Sequence, residues 1–151
     1  MSTILVVEDE PLVRMALCDF LQECGFALAQ AATAAEAITI LQSDRPAIDL
    51  VFSDLRLPGT MDGFGLARWI KANRPGLRVM LTSGGDPKAQ AARAADLDVP
   101  FVAKPYDVHG LAGTIRELID APERARGDRA AVASASSLGL RPSSPARFTD
   151  Y

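Results

Sequence analysis

Four places in this chain hold residues able to do chemistry together: the acids Glu8-Asp9-Glu10, the single acid Asp54, the hydroxyls Thr82-Ser83, and Lys104. Each follows an apolar run, so each is expected at the end of a buried strand. If those ends meet, Glu8, Asp9 and Asp54 crowd three carboxylates, which repel one another and do not all ionise without a cation. Oxygen donors with no His or Cys among them suit Mg2+ better than zinc or copper. Such an ion could bridge a carboxylate and an incoming phosphoryl oxygen. A lysine would neutralise remaining charge, and a Thr or Ser hydroxyl would hydrogen-bond another oxygen. These are the needs of phosphoryl transfer: positioning, charge neutralisation and a carboxylate able to act as nucleophile.

The elements that must position these groups are legible as alternating patterns. Thr3 to Val7 is an uninterrupted β-branched and aliphatic run, read as a buried strand. Pro11 opens a helix where its missing N–H costs nothing. Val13, Ala16, Leu17, Phe20, Leu21 and Cys24 follow helical spacing, and Gly25 supplies a left-handed stop. Phe26 to Ala31 reads as a second strand. Thr33-x-x-Glu36 is a capping box for the next helix, whose stripe is Ala37, Ile38 and Leu41 and which ends at Asp44-Arg45-Pro46. Leu50-Val51-Phe52-Ser53 drives into Asp54, followed by a Gly-rich loop, Pro58 to Gly63, and a helix with Phe64, Ala67, Trp69 and Ile70. Leu77 to Leu81, an Ala-rich helix from Pro87 to Ala95, and Val99 to Ala103 come next. Asp107 then caps a last helix with Val108, Leu111, Ile115, Leu118 and Ile119 on one face.

Strands thus alternate with helices five times, through connections too long for hairpins. That predicts an α/β fold with a parallel sheet and helices on both faces. Right-handed crossovers favour a flavodoxin-like, doubly wound (βα)5 domain with strand order 2-1-3-4-5. In that order the first and third strands are neighbours, and Glu8, Asp9 and Asp54 share one crevice.

Composition narrows the classes further. The chain has 151 residues, 48% hydrophobic and 23% charged, which fits one soluble domain with some excess length. The net charge of −3 is unevenly spread: residues 122–151 carry five Arg against three acids, so the remainder carries −5. No basic stripe of the kind that binds DNA is present. No apolar run approaches the ~20 residues of a membrane span, and the amino terminus enters a strand at once, leaving no room for a signal peptide. Cys18 and Cys24 lack metal-ligand spacing and read as thiols of a reducing cytoplasm. Residues 1–121 read as the folded domain. Residues 122–151, rich in Ala, Ser, Pro and Arg, read as a disordered tail.

Four motifs, in order and each at an expected strand end, resemble one family: the receiver domain of bacterial two-component response regulators. They are Val6-Val7-Glu8-Asp9-Glu10; Ser53-Asp54-Leu55-Arg56-Leu57-Pro58 with Asp62-Gly63; Leu81-Thr82-Ser83-Gly84; and Phe101-Val102-Ala103-Lys104-Pro105. The resemblance covers Ile4 to about Ala121. It implies that Asp54 accepts a phosphoryl group from a sensor histidine kinase or a histidine phosphotransfer protein. Glu8, Asp9, Asp54 and the backbone carbonyl of Arg56 would hold Mg2+. Thr82 would contact the phosphoryl group after transfer, Lys104 would pair with the acceptor site, and Phe101 would turn inward as Thr82 moves. The Lys104-Pro105 bond is expected to be cis. The implied protein is a stand-alone cytoplasmic switch, a monomer or weak homodimer, acting on a protein target, without direct DNA or membrane binding. It is not a turnover enzyme, since its chemistry is limited to Mg2+-assisted self-phosphorylation and autodephosphorylation.

Plainer readings stand beside these. Thr82 could satisfy backbone at a strand end, and Phe101 could be static core. Arg56 either shields the phosphoryl group or is a solvated surface side chain. Glu10 reads as a first-turn acid favoured by the helix dipole rather than a ligand. His109, the sole histidine, reads as a surface side chain, and Trp69 as packing. The loop Pro58 to Gly63 is one residue longer than the family's usual form. An aspartate-nucleophile phosphatase would have a second acid two residues after Asp54, where this chain has Arg56. A degenerate receiver that binds partners without phosphorylation is the alternative function.

Overall fold

The computed structural model describes residues 1–43 and 45–121. The expected tail, and Asp44, lie outside the described residues. Five strands form one sheet in the order β2-β1-β3-β4-β5: β1 (Thr3–Val7), β2 (Ala27–Ala31), β3 (Leu50–Asp54), β4 (Arg78–Ser83) and β5 (Phe101–Ala103). Helices follow them in turn: α1 (Pro11–Glu23), α2 (Ala34–Gln42), α3 (Gly63–Asn73), α4 (Pro87–Asp96) and α5 (Val108–Asp120). This is the doubly wound (βα)5 architecture that the alternation of patterns predicts. The chain clusters into two compact units, Met1–Val79 and Met80 onward.

In the first unit, β1 lies between β2 and β3. It pairs in parallel with both, Val7 opposite Ala31 on one side and Ser53 on the other. Such a strand is covered on both faces, which is why its sequence is a continuous apolar run rather than an alternation. Ile4, Leu5 and Val6 are fully buried, as are Leu50 and Val51 of β3. Each such side chain contributes about 1.5–3 kcal/mol by leaving water. β2 stands at the sheet edge, and only Ala31 of its five residues is buried.

The first helix departs from its expected stripe. Leu17, Cys18 and Leu21 are buried, but Val13 is 44% exposed and Ala16 is exposed as well. Leu12 (74%) and Met15 (52%) are also open to solvent. The first turn of α1 begins four residues beyond the end of β1. Burial starts one turn later. Gly25 does close the helix, with φ +100°, and Phe26 returns its N–H to Leu21. The capping box forms with a one-residue shift: Thr33 accepts from the Glu36 N–H, while Glu36 accepts from Ala32 rather than from Thr33.

In the second unit, β4 and β5 pair in parallel, Leu81 with Phe101, Thr82 with Val102 and Ser83 with Ala103. β4 therefore runs two residues beyond its expected end, and Thr82 and Ser83 lie inside the ladder. β5 is correspondingly shorter than its apolar run. Val99 is spent on closing α4, donating to the Ala94 carbonyl after Asp98 takes a left-handed φ of 56°. Pro100 has no N–H to give. α5 buries Leu111, Ala112 and Ile115, while Val108, Leu118 and Ile119 are half-buried. Among the described residues, no helix is long and apolar enough to cross a membrane.

Candidate functional site: an acidic strand edge

The acids of the first unit sit where two neighbouring strands stop. Val7 of β1 is in register with Ser53 of β3, so the next residues, Glu8 and Asp54, come side by side. Both are buried carboxylic acids, Glu8 7% and Asp54 8% exposed. Asp9 and Glu10 are exposed. A buried carboxylate must be satisfied by donors or a counter-charge, and the hydrogen bonds show part of how. Glu8 Oε2 accepts the Glu10 N–H at 3.0 Å, and Asp54 Oδ1 accepts the Arg56 N–H at 3.2 Å.

Glu10 proves to be a cap. It occupies the N-cap of α1, with Pro11 next, and its carboxylate accepts the Leu12 N–H at 3.2 Å. It therefore stands at the N-cap rather than in the first turn, where its position suggested it. Arg14, which the sequence did not single out, reaches back to the acidic turn. Its guanidinium donates to the Glu8 carbonyl at 2.8 Å and to Gln30 Oε1 on β2 at 3.1 Å. Helical side chains lean toward the N-terminus, so an Arg in the first turn after an acidic cluster is the signal that could have found it.

The other wall of Asp54 is backbone. Gly63 opens α3 with its N–H on the Leu55 carbonyl at 2.9 Å, under Asp62, whose carboxylate caps the helix at Gly65. A Cβ on Gly63 would collide with the Asp54 carbonyl oxygen and stand 2.7 Å from Leu55 Cα. Only glycine lets the helix come this close to the acid-bearing strand. Earlier in the loop, Gly59 takes a left-handed φ of +95°. Arg56 is exposed.

In the second unit, Thr82 is 2% exposed and its hydroxyl donates to the Val102 carbonyl at 2.7 Å. The plainer reading of Thr82, a strand-end hydroxyl satisfying backbone, therefore describes this arrangement. Ser83 is buried and its hydroxyl accepts the Gly85 N–H at 3.2 Å. Lys104 follows β5, half-buried, with its N–H on the Ser83 carbonyl at 2.9 Å. The Lys104-Pro105 bond is cis, as expected, and Arg45-Pro46 is cis as well. Phe101 is half-buried, opposite Leu81. His109 is exposed on the first turn of α5, and Trp69 is half-buried on α3.

The donor set suits a hard cation in type: Glu8 and Asp54 at adjacent strand ends, Asp9 one residue on, and backbone carbonyls, all oxygen. Mg2+ keeps several waters and needs only one or two carboxylates, so a closed protein cage is not required. Among the described residues, no group of three or more His, Cys, Asp or Glu side chains converges as a metal cage.

Comparison with known proteins agrees with this geometry. The family model described as "Response regulator receiver domain" matches residues 4–116. A sensor kinase, CckA of Brucella abortus, is 34% identical over 120 residues, 79% of this chain and 13% of its own length. The receiver domain of a Clostridium thermocellum response regulator has the same fold, with TM-score 0.74 and 24% identity over 80% of this chain and 95% of that one. The response regulator TrrA of Thermotoga maritima, solved in complex with Mg(2+)-BeF, matches with TM-score 0.68 and 25% identity over 78% of this chain and 98% of that one. This chain spans between 13% and 47% of the length of three curated relatives that it matches at 34% identity. With the motif-bearing strand ends, the sheet order and a family match across most of its length, the chain belongs to the response regulator receiver domain family.

Proposed function

We propose that Asp54 is the phosphoryl acceptor of this receiver domain. The observation that carries the reading is the register of β1 and β3, which sets Asp54, buried, beside the buried acid Glu8 at the carboxyl ends of those strands. An Asp54 carboxylate oxygen attacks the phosphorus of a phosphohistidine on a sensor histidine kinase or histidine phosphotransfer protein. The P–N bond breaks, and the imidazole leaves and takes up a proton from water. Mg2+, when bound, neutralises charge on the phosphoryl oxygens. Glu8, Asp9, Asp54 and the Arg56 carbonyl would hold it.

Thr82, inside the β4–β5 ladder, and Lys104, the residue after β5, would supply the hydroxyl and the ammonium that phosphoryl transfer calls for. For Thr82 to serve, its hydroxyl must leave the Val102 carbonyl. That exchange is a natural two-state element, with Phe101 on the strand that releases it. Phosphorylation, adding about −1.5 to −2 charge at one point, would bias it. Output then passes to a protein partner or onward as phosphate. The protein would work in the cytoplasm, as a monomer or weak homodimer, without catalysing turnover of a small phosphate ester.

The test is reaction with acetyl phosphate followed by intact-mass spectrometry. A single Mg2+-dependent phosphoryl adduct, absent in Asp54→Asn, is expected. An adduct that persists in that variant would overturn the assignment. A second reading, a receiver that binds partners without phosphorylation, draws on the exposure of Asp9 and the lack of a three-acid cluster among the described residues. It predicts neither an adduct nor Mg2+ affinity.

A further inference from the structure

The acidic turn is held by a closed circuit of bonds that the proposed chemistry does not itself use. Glu8 Oε2 accepts from the Glu10 N–H at 3.0 Å, and the Glu10 carbonyl accepts from the Arg14 N–H at 2.9 Å. The Arg14 guanidinium then returns to the Glu8 carbonyl at 2.8 Å. Side chain and main chain of the same acid are therefore tied to α1 through one arginine. The second arm of that guanidinium, on Gln30 Oε1 at 3.1 Å, ties the circuit to β2.

The Glu8 carbonyl has a physical reason to need this arm. The β1 ladder ends at Val7, and the Glu8 N–H makes one last bond, to the Ala31 carbonyl at 3.0 Å. From there the backbone turns out of the sheet. A charged donor on the carbonyl gives a bond about twice as strong as a neutral one, and the planar guanidinium, held at its other N–H by Gln30, sets its direction. Fixing the Glu8 peptide fixes the path by which its side chain reaches the sheet edge.

We propose that Arg14 is a positioning residue for the cation site: its bidentate hold on Glu8 and Gln30 sets Mg2+ affinity at the Asp54 edge by orienting the Glu8 carboxylate. The inference rests on the reading that Mg2+ binds there. Two effects of Arg14 oppose each other, which makes the sign informative. Its charge repels a cation, so if charge alone mattered, removing it would tighten Mg2+. Its hold on the turn preorganises a ligand, so if positioning dominates, removing it weakens Mg2+.

Mg2+ alone, titrated calorimetrically into unphosphorylated wild type, Arg14→Ala, Arg14→Lys and Gln30→Leu at constant ionic strength, separates the two. Loss of outer-sphere support to a metal ligand typically costs about tenfold or more in affinity, so we expect about tenfold weaker binding in both Arg14 variants and about threefold in Gln30→Leu. Lysine keeps the charge but cannot bond both acceptors, so it should fail to rescue. Gln30 is exposed on β2, and its replacement leaves Arg14 and its charge in place, which guards against a misfolded variant. With acetyl phosphate, the Mg2+ concentration for half-maximal rate should rise while the maximal rate stays near wild type. Unchanged or tighter Mg2+ binding in Arg14→Ala, beside a wild type that binds, overturns this inference alone. A wild type without Mg2+ affinity overturns the cation reading and the inference with it.

Discussion

The carboxyl ends of β1 and β3 and those of β4 and β5 handle their polar groups differently. Around Glu8 and Asp54 the bonds are many and mostly to main chain: Glu10 N–H, Arg56 N–H, the Arg14 guanidinium, and the close approach of Gly63. These fix where the acids are. Thr82, by contrast, offers a hydroxyl whose bond, to the Val102 carbonyl, can be exchanged by rotating one side-chain torsion. If Asp54 receives the phosphoryl group and Thr82 responds to it, as proposed, the two regions differ in the way those roles require.

The sharpest way to break the fixed side is Gly63→Ala. The added Cβ meets backbone atoms of Asp54 and Leu55 that cannot swing aside, so a loss of about 3 kcal/mol is expected, at the upper end for overpacking. A urea midpoint within error of wild type would show that α3 slides freely over the strand. On the responsive side, Thr82→Val keeps the shape but leaves the Val102 carbonyl without its hydroxyl donor, for about 1–2 kcal/mol. It should still form the Mg2+-dependent adduct on Asp54 while losing the chemical-shift changes in β4 and β5 that follow phosphorylation. Retention of those changes would remove Thr82 from the switch.

Helix caps allow a smaller, matched comparison. Asp107 accepts two N–H groups, from His109 and Gly110, whereas Glu10 accepts one, from Leu12. Asp107→Ala should cost about 1 kcal/mol by chemical denaturation, and Glu10→Ala somewhat less by this count. The reverse order would mean that Glu10 contributes to the acidic turn beyond its capping bond.

The smallest effect concerns Cys18 on the buried face of α1. Burial pushes its thiol up from 9.0 to about 11, against the opposing pull of the Arg14 charge and with a minor contribution from Asp19. The folded protein thus keeps a proton that the unfolded chain begins to lose near pH 9. Stability from this group is intact below that pH and declines as pH rises toward about 11. At pH 8, Cys18 should resist alkylation by iodoacetamide in the folded state and react once urea unfolds the chain. Prompt modification of native protein would show that the helix opens readily.

The sequence alone determined the order of elements, the parallel sheet and the strand ends that carry Glu8, Asp54 and Lys104. Those depend on local signals, namely apolar runs, Pro11, Gly25, the Thr33 box and Asp107, and each acts within a few residues. Only the tertiary structure decided what depends on neighbours distant in sequence. It extended β4 through Thr82 and Ser83, because ladder partners on β5 were available, and it shortened β5 because Val99 closes α4. It left Val13 and Ala16 in solvent, which helical spacing could not reveal. It turned the Thr82 hydroxyl to Val102, joined Arg14 to Glu8 and Gln30, and pressed Gly63 against the Asp54 strand. Hydrogen-bond partners across sixteen or twenty residues of chain, as in Arg14 with Gln30 and Thr82 with Val102, are chosen by strand register and helix approach. No periodicity along the chain encodes them.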